Sequence, residues 1–372
     1  MVDFWKFIPH ATLLSGIFAM GLGALISLIA IPVVVRICKV KGLTDKANGR
    51  SSHVGAIPSL GGVAIFSGVF LGVGLLMPPV VWAGSLRYIL SATFILFLIG
   101  QKDDIIGISW SKKLLAEILA ALIIIELGNL RFTSLQGFAG FYELPLWLSI
   151  VISIIVFVGI INAFNLIDGI DGLASGTGIL VSFILGCWMF AINEHGMAIM
   201  AWSLTGSLLP FFYFNVFGKE NKLFMGDTGS LIVGILMAVF AAVICSAELP
   251  ADHDFYMKAA PAVVMGVLIY PIYDLVRVVV LRLVKGKSPF VADQNHVHHL
   301  FLAAGYSHRR STFYILLLNV MAIAWAFAFR NSSILFLGSS LFAAAIIATL
   351  IIIQIGKWRR RMGLPGTQKK EE

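Results

Sequence analysis

Five aspartates carry the chemistry most clearly written into this chain of 372 residues. Asp168 and Asp171 stand in NAFNLIDGIDGLA (162–174), Asp227 in KLFMGDTGS (222–230), and Asp103 and Asp104 side by side in QKDDIIGIS (101–109). Three histidines, His296, His298 and His299, share the stretch PFVADQNHVHHL (289–300). Carboxylates brought together repel and raise one another's pKa unless a cation neutralises them. Oxygen ligands without a suitable thiol point to magnesium, with manganese as the alternative, held by one or two carboxylates and completed by water and a substrate phosphate. Asp227 is the leading ligand, with Asn165 as a second candidate, because Gly226 and Gly229 permit close backbone approach and a helix start favours an anion. A plainer reading has Asp227 or Thr228 simply capping a helix.

Asn165, Asp168 and Asp171 fall at i, i+3 and i+6. A helix would put them on adjoining faces, while Gly169 and Gly172 allow an unwound turn instead. An amide and carboxylates can pair with a uracil edge or ribose hydroxyls, so a nucleotide pocket is chemically reasonable, against the alternative of solvated acids at a wet helix end. Asp103 and Asp104 would point about 100° apart on a helix, so one acts while the other orients it. The histidines suit a zinc ion or, better in a thiol-free and acid-rich setting, a diphosphate or a sugar hydroxyl, helped by Arg50, His53 or nearby lysines.

The elements that must position these groups are membrane helices. Hydrophobic residues make up 59% of the chain, charged residues 12%, and the mean hydropathy is +0.94; soluble domains carry roughly 25% charged residues. This is the composition of an all-α polytopic membrane protein. Eleven apolar windows are predicted, over 11–35, 59–77, 86–100, 113–128, 145–164, 173–192, 197–217, 229–247, 259–281, 312–329 and 333–356. The first is expected to remain as an anchor rather than to be cleaved. With the N-terminus outside and the C-terminus cytoplasmic, 22 of the 27 Lys and Arg residues fall on cytoplasmic stretches, only Lys6, Arg87, Arg131, Lys258 and Arg330 being exceptions. The net charge of +8 therefore reflects topology and an anionic inner leaflet rather than nucleic-acid binding. All four polar motifs then face the cytoplasm. The chain reads as one transmembrane catalytic domain (1–372) ending in a basic cytoplasmic tail (357–372). Cys38, Cys187 and Cys245 match neither a disulfide framework nor a metal site and are expected to be buried thiols.

Taken together, FMGDTGSL, NLIDGIDGLA, the Asp-Asp pair, HVHHL and RSSHVGAIPSLGG (50–62) resemble the polyprenyl-phosphate N-acetylhexosamine-1-phosphate transferases, glycosyltransferase family 4, over nearly the whole chain. The His-x-His-His segment looks like the WecA/TagO branch, which uses UDP-N-acetylglucosamine, rather than the phospho-N-acetylmuramoyl-pentapeptide transferases, whose histidine run is followed by Phe-Glu. The resemblance implies transfer of a sugar 1-phosphate from a UDP-N-acetylhexosamine to undecaprenyl phosphate at the bacterial cytoplasmic (inner) membrane, with release of UMP and initiation of a lipid-linked surface glycan. It implies that Asp227 is the magnesium ligand and that Asn165, Asp168 and Asp171 face the nucleotide, with Phe224 stacking on uracil. It further implies that Asp103 and Asp104 serve catalysis and that the histidine segment selects the sugar. A homodimer is left open.

Two rivals belong to other classes. An ion-coupled transporter would place its acids near helix centres or breaks. An intramembrane aspartyl protease, suggested by YPIYDL (270–275) and FMGD (224–227), needs two carboxylates sharing a proton; Asp274 is instead expected to face Arg277 or Arg282 or to lie near the interface.

Overall fold

The computed structural model describes residues 9–43, 57–77, 82–138, 140–288 and 296–363. Arg50 and His53, expected near the site, lie outside the described residues. The chain is mostly helical. The helices are α1 (Pro9–Lys41), α2 (Gly61–Leu76), α3 (Arg87–Ile106), α4 (Trp110–Leu122), α5 (Leu146–Ile167), α6 (Leu173–Ala191), α7 (His195–Phe217) and α8 (Gly226–Ser246). They continue with α9 (Ala260–Val267), α10 (Ile269–Val284), the short α11 (Val297–Ala303), α12 (His308–Ala328) and α13 (Ile334–Arg361). The one departure from all-α architecture among the described residues is a small antiparallel hairpin, β1 (Ser134–Phe138) with β2 (Phe141–Glu143), between α4 and α5.

Every apolar window coincides with a helix, but the helices are not equivalent. Among the described residues, α1, α5, α6, α7, α8, α12 and α13 are long and apolar enough to cross a membrane, making seven, or eight if α9 and α10 form one span. The remaining windows fall short for visible reasons. Helix α2 has 16 residues and α4 has 13, while α3 ends on Lys102, Asp103 and Asp104. The ninth window is not one rod: α9 and α10 meet at 85°. Pro271, in the first turn of α10, lacks the N–H that would bond Val267, and its ring crowds that carbonyl, which weakens the helix at this point.

Helix α8 is the centre of the molecule. From Thr228 to Cys245 every residue is buried, as expected of a helix that is apolar all round, and α2, α3, α5, α6 and α9 pack around it. Its N-terminus meets the C-terminal ends of α3 and α5 and the start of α4. Four segments remote in sequence thus deliver their polar ends to one place. Cys38 and Cys245 are buried as expected, but Cys187 is exposed on the outer face of α6. That outer face is where α6 would meet lipid, so an apolar environment does not require protein burial there.

Candidate active site

The first turn of α8 has backbone N–H groups without partners inside the helix, and they are satisfied from another helix. Asp104, in the last turn of α3, accepts from the backbone N–H of Asp227 at 2.7 Å, from that of Thr228 at 3.0 Å and from the Thr228 hydroxyl at 2.5 Å. Neither Asp227 nor Thr228 caps the helix with its own side chain. The turn is tight: Gly226 has φ +69°, and a Cβ there would sit 2.0 Å from the Ser59 carbonyl oxygen and 2.7 Å from the Asp104 carboxylate. With its backbone amide bound by Asp104, Asp227 turns its side chain outward. Its Oδ1 accepts from Lys113 Nζ of α4 at 2.6 Å and from Asn165 Nδ2 of α5, whose amide also donates to Ser230 Oγ at 2.9 Å.

Asp103 points elsewhere, as adjacent helical residues must. One oxygen accepts from the Ile108 N–H at 2.8 Å and the other lies 3.5 Å from Lys113 Nζ. Lys113 therefore bridges Asp103 and Asp227. The pair lies inside α3, which runs through it and stops where Gly107 adopts φ +72°.

Asp168 and Asp171 stand in an unwound turn, since α5 ends at Ile167 and α6 begins at Leu173 after Gly172 at φ +79°. They consequently diverge. Desolvation, followed by the negative charges of Asp227, Asp104 and Asp171, pushes Asp168 well above the usual carboxylate range, only partly offset by the Gly226 N–H. Burial acts against Asp171 too, but His308 and Lys222 outweigh it and hold that carboxyl below its ordinary value. Lys222 Nζ is 2.6 Å and His308 Nδ1 3.8 Å from Asp171 Oδ2, and Thr312 donates to the Asp171 carbonyl. Asn215 of α7 ties the turn to the 218–225 loop, accepting from the Gly172 N–H at 2.6 Å and donating to the Leu223 carbonyl at 2.8 Å.

The residues just ahead of α2 reach the same place. Phe224 N–H donates to the Pro58 carbonyl, and the N–H groups of Gly61 and Gly62 donate to the carbonyls of Phe224 and Met225. Lys222 Nζ stands 5.9 Å from the centre of the Phe224 ring.

The histidines close the group from the other side. His298 is 1% exposed and presses on the Asp168 turn so closely that a Cβ on Gly169 would fall 2.4 Å from its Nε2. Burial, and then the neighbouring rings of His299, His296 and His308, hold His298 well below the usual histidine range. His298 therefore stays neutral at neutral pH and adds no positive charge to this segment. His296 and His298 stack with centroids 5.5 Å apart, and His299 lies 4.3 Å from His298. His296 Nδ1 is 2.9 Å from Asp274 Oδ2, and the Val297 N–H donates to Asp274 Oδ1 at 2.7 Å. Asp274 is wholly buried, and both its carboxylate oxygens reach the histidine segment. The break ahead of α10 turns its face toward α11.

The residues singled out in the sequence thus gather into one region, with Arg50 and His53 outside the described residues. Sequence reasoning missed Lys113, Lys222, His308, Asn215 and Asp274. It also missed Glu117 of α4, which is 1% exposed and accepts from Asn162 Nδ2. Among the described residues no three His, Cys, Asp or Glu side chains form a closed metal cage, which fits poorly with a three-histidine zinc site. The donor set does fit a hard divalent cation in an open site. Asp227 and Asp103 already share one cationic group, and Asp227 is the more exposed of the two, at 29% against 14%. With Asn165 Nδ2 spent on Asp227, its carbonyl oxygen is the atom left for a metal.

A model of glycosyl transferase family 4 matches residues 86–245, from the start of α3 to the last turn of α8. The chain is 30% identical over 329 residues to a probable undecaprenyl-phosphate N-acetylglucosaminyl 1-phosphate transferase of Bacillus subtilis (strain 168), covering 88% of this chain and 86% of that one. It is 28% identical over 279 residues to the undecaprenyl-phosphate alpha-N-acetylglucosaminyl 1-phosphate transferase of Escherichia coli (strain K12), covering 74% and 73%. The transferase of the same description from Yersinia pestis is 29% identical over 276 residues, covering 73% and 72%. This chain belongs to glycosyl transferase family 4.

Proposed function

We propose that the protein transfers N-acetylglucosamine 1-phosphate from UDP-N-acetylglucosamine to undecaprenyl phosphate. The products are undecaprenyl-diphosphate-N-acetylglucosamine and UMP, at the cytoplasmic face of the bacterial inner membrane. The observation that carries this reading is the meeting of Asp103, Asp104, Asp168 and Asp227 with Lys113 around the N-terminus of the central helix. The relatives' activities supply the substrates. An N-terminus outside and a basic tail inside, as the distribution of Lys and Arg supports, would leave this cluster where a lipid phosphate and a soluble nucleotide can both reach it. The isoprenoid tail stays in hydrocarbon, each buried CH₂ being worth about 0.8 kcal/mol.

Asp227 and Asn165 would hold magnesium, which would offset the repulsion between the acids and the donor diphosphate. The chain's own groups do the rest. Asp104 fixes the first turn of α8 and so the position of Asp227. Lys113, held by Asp103 and Asp227, brings positive charge to the place where phosphates must approach. Asp168 and Phe224 line the nucleotide side. An acceptor phosphate monoester, with a second pKa near 6, is largely dianionic at neutral pH. Its oxygen can attack the β-phosphorus of the donor directly, breaking the bond to UMP as the new anhydride forms. Positioning and charge neutralisation, rather than a strong base, carry the catalysis. Neither rival class suits the geometry: the acids gather at helix ends rather than mid-span, and Asp274 pairs with His296 rather than with Asp227.

The test is transfer of radiolabelled sugar from a panel of UDP-N-acetylhexosamines to undecaprenyl phosphate with magnesium. UDP-N-acetylglucosamine should be the best donor, and Asp227→Ala should abolish turnover in a folded protein. Full activity in that variant would refute the role given to Asp227.

A further inference from the structure

Lys113 of α4 reaches into the acid cluster and holds an atom that a divalent ion would use. Its Nζ lies 2.6 Å from Asp227 Oδ1 and 3.5 Å from Asp103 Oδ2. Asp227 Oδ1 also accepts from Asn165 Nδ2. A hard cation bound through Asp227 and the Asn165 carbonyl oxygen would meet the ammonium at very short range, where two cations repel strongly. The other side of Asp227 offers no escape. Its carboxyl and that of Asp103 come close enough to hydrogen-bond, so an ion placed between them still lies beside Nζ.

Which group gives way is set by how each is anchored. Asp227 is pinned through its backbone N–H, which donates to Asp104 at 2.7 Å. Asn165 is tied to Ser230 Oγ at 2.9 Å. The Lys113 ammonium stands at the end of a flexible four-carbon stem and can swing without moving the backbone of α4. Charge points the same way. Asp103, Asp227 and Lys113 together leave one net negative charge; with a divalent ion among them the sign reverses, which suits an incoming diphosphate. Asp103 keeps the displaced ammonium beside the site.

We infer that Lys113 is a resident counter-ion of the acid cluster: a divalent cation takes its place on Asp227 and frees the ammonium toward the open side of the site. This rests on the function proposed above, which assigns Asp227 and Asn165 to the ion.

Binding of Mn²⁺ alone tests the exchange, read by electron paramagnetic resonance on protein in phosphatidylcholine nanodiscs without donor or acceptor. Lys113→Met should bind Mn²⁺ roughly tenfold more tightly than the parent, the scale on which one nearby charge shifts an ionic equilibrium. Lys113→Arg, which keeps the charge, should gain nothing. Repulsion from a lysine that stays in place would tighten binding in Lys113→Met too, so the second readout is the lysine itself. Its side chain is 15% exposed. Acylation of Lys113 by an amine-reactive ester, followed by mass spectrometry on the parent, should quicken as Mn²⁺ is added, with its midpoint at the dissociation constant found by resonance. The exposed Lys112 beside it should not change. Unchanged or weaker binding in Lys113→Met, tighter binding in Lys113→Arg, or acylation of Lys113 that stays constant or slows at saturating Mn²⁺ would overturn the inference. The acylation needs no variant, so it decides the matter even if Lys113→Met does not fold. Neither readout needs turnover. A protein that releases Lys113 to Mn²⁺ yet transfers no sugar phosphate would sink the proposed function and spare the exchange; transfer without that release would do the opposite.

Discussion

Asp104 and Asp103 are neighbours in sequence with opposite duties, and replacing each should separate stability from turnover. Asp104 accepts three hydrogen bonds, at 2.7, 3.0 and 2.5 Å, from the first turn of the central helix. Each donor left without a partner costs about 1–3 kcal/mol when buried, and the site is half-buried, so water recovers part of the loss. Losing an N-cap alone costs about 0.5–2 kcal/mol. Asp104→Ala should therefore destabilise the protein by about 2–4 kcal/mol, and Asp104→Asn, which keeps one carbonyl oxygen, by about half as much. Asp103 lies 3.5 Å from Lys113 with both side chains largely buried, but Lys113 keeps its shorter bond to Asp227 at 2.6 Å, so weakening the longer contact should cost less than about 1 kcal/mol. Asp103→Asn should therefore change stability less than Asp104→Asn yet lower turnover at least about tenfold, because Lys113 loses one of the two carboxylates that aim it. Thermal unfolding in lipid nanodiscs, with hydrogen exchange read at residues 227–230, measures the first effect, and the transfer assay the second. An Asp104→Asn protein as stable as the parent, or an Asp103→Asn protein destabilised to the same degree, would refute the division of labour.

Asp168 and Asp171 should respond to pH in opposite senses. Asp168 has a raised folded value, so the folded state binds more protons than the unfolded one from about pH 3.9 upward. Its contribution to stability therefore falls as pH climbs through that window. With divalent cations chelated, Asp168→Asn should be at least as stable as the parent at neutral pH, though inactive; a clear loss of stability there would count against the crowding of acids. Asp171 has a lowered folded value, so it contributes stability above about pH 3.9 that is lost as pH falls through the folded value. Asp171→Asn should destabilise at pH 7 and converge with the parent in acid, which acid titration of the melting temperature checks. Gly169→Ala places a methyl 2.4 Å from Nε2 of the buried His298, and should lower turnover and cost about 1–3 kcal/mol of stability as the turn and the ring move apart. Unchanged turnover would show that the contact between the turn and the histidines is idle.

Much of this site is legible in the sequence because charged residues in an otherwise apolar chain must have a reason to be there. Asp168, Asp171 and Asp227, each beside a glycine, announce sharp turns at helix ends, and those turns are where the structure has them. The helix windows are equally plain, since composition alone sets them. What stays hidden is pairing between helices. Lys113 and Glu117 sit one turn apart in an amphipathic helix and look like a wet edge; only the packing of α4 against the starts and ends of α8 and α5 turns them inward. Asp104 as the cap of α8 and Asp274 as the holder of His296 join residues 123 and 22 positions apart in sequence, and periodicity carries no information on such contacts. The break before α10 is not legible either: 259–281 looks like one apolar window, and prolines such as Pro32 and Pro210 lie inside unbroken helices.

The most direct test of the account follows both halves of the transferred group. UDP-N-acetylglucosamine labelled with phosphorus-32 at the β-phosphate and with carbon-14 in the sugar should pass both labels to undecaprenyl phosphate in equal amounts, with unlabelled UMP released in step and no transfer in chelator. Sugar reaching the lipid without the labelled phosphate, or undiminished transfer after removal of divalent cations, would contradict it.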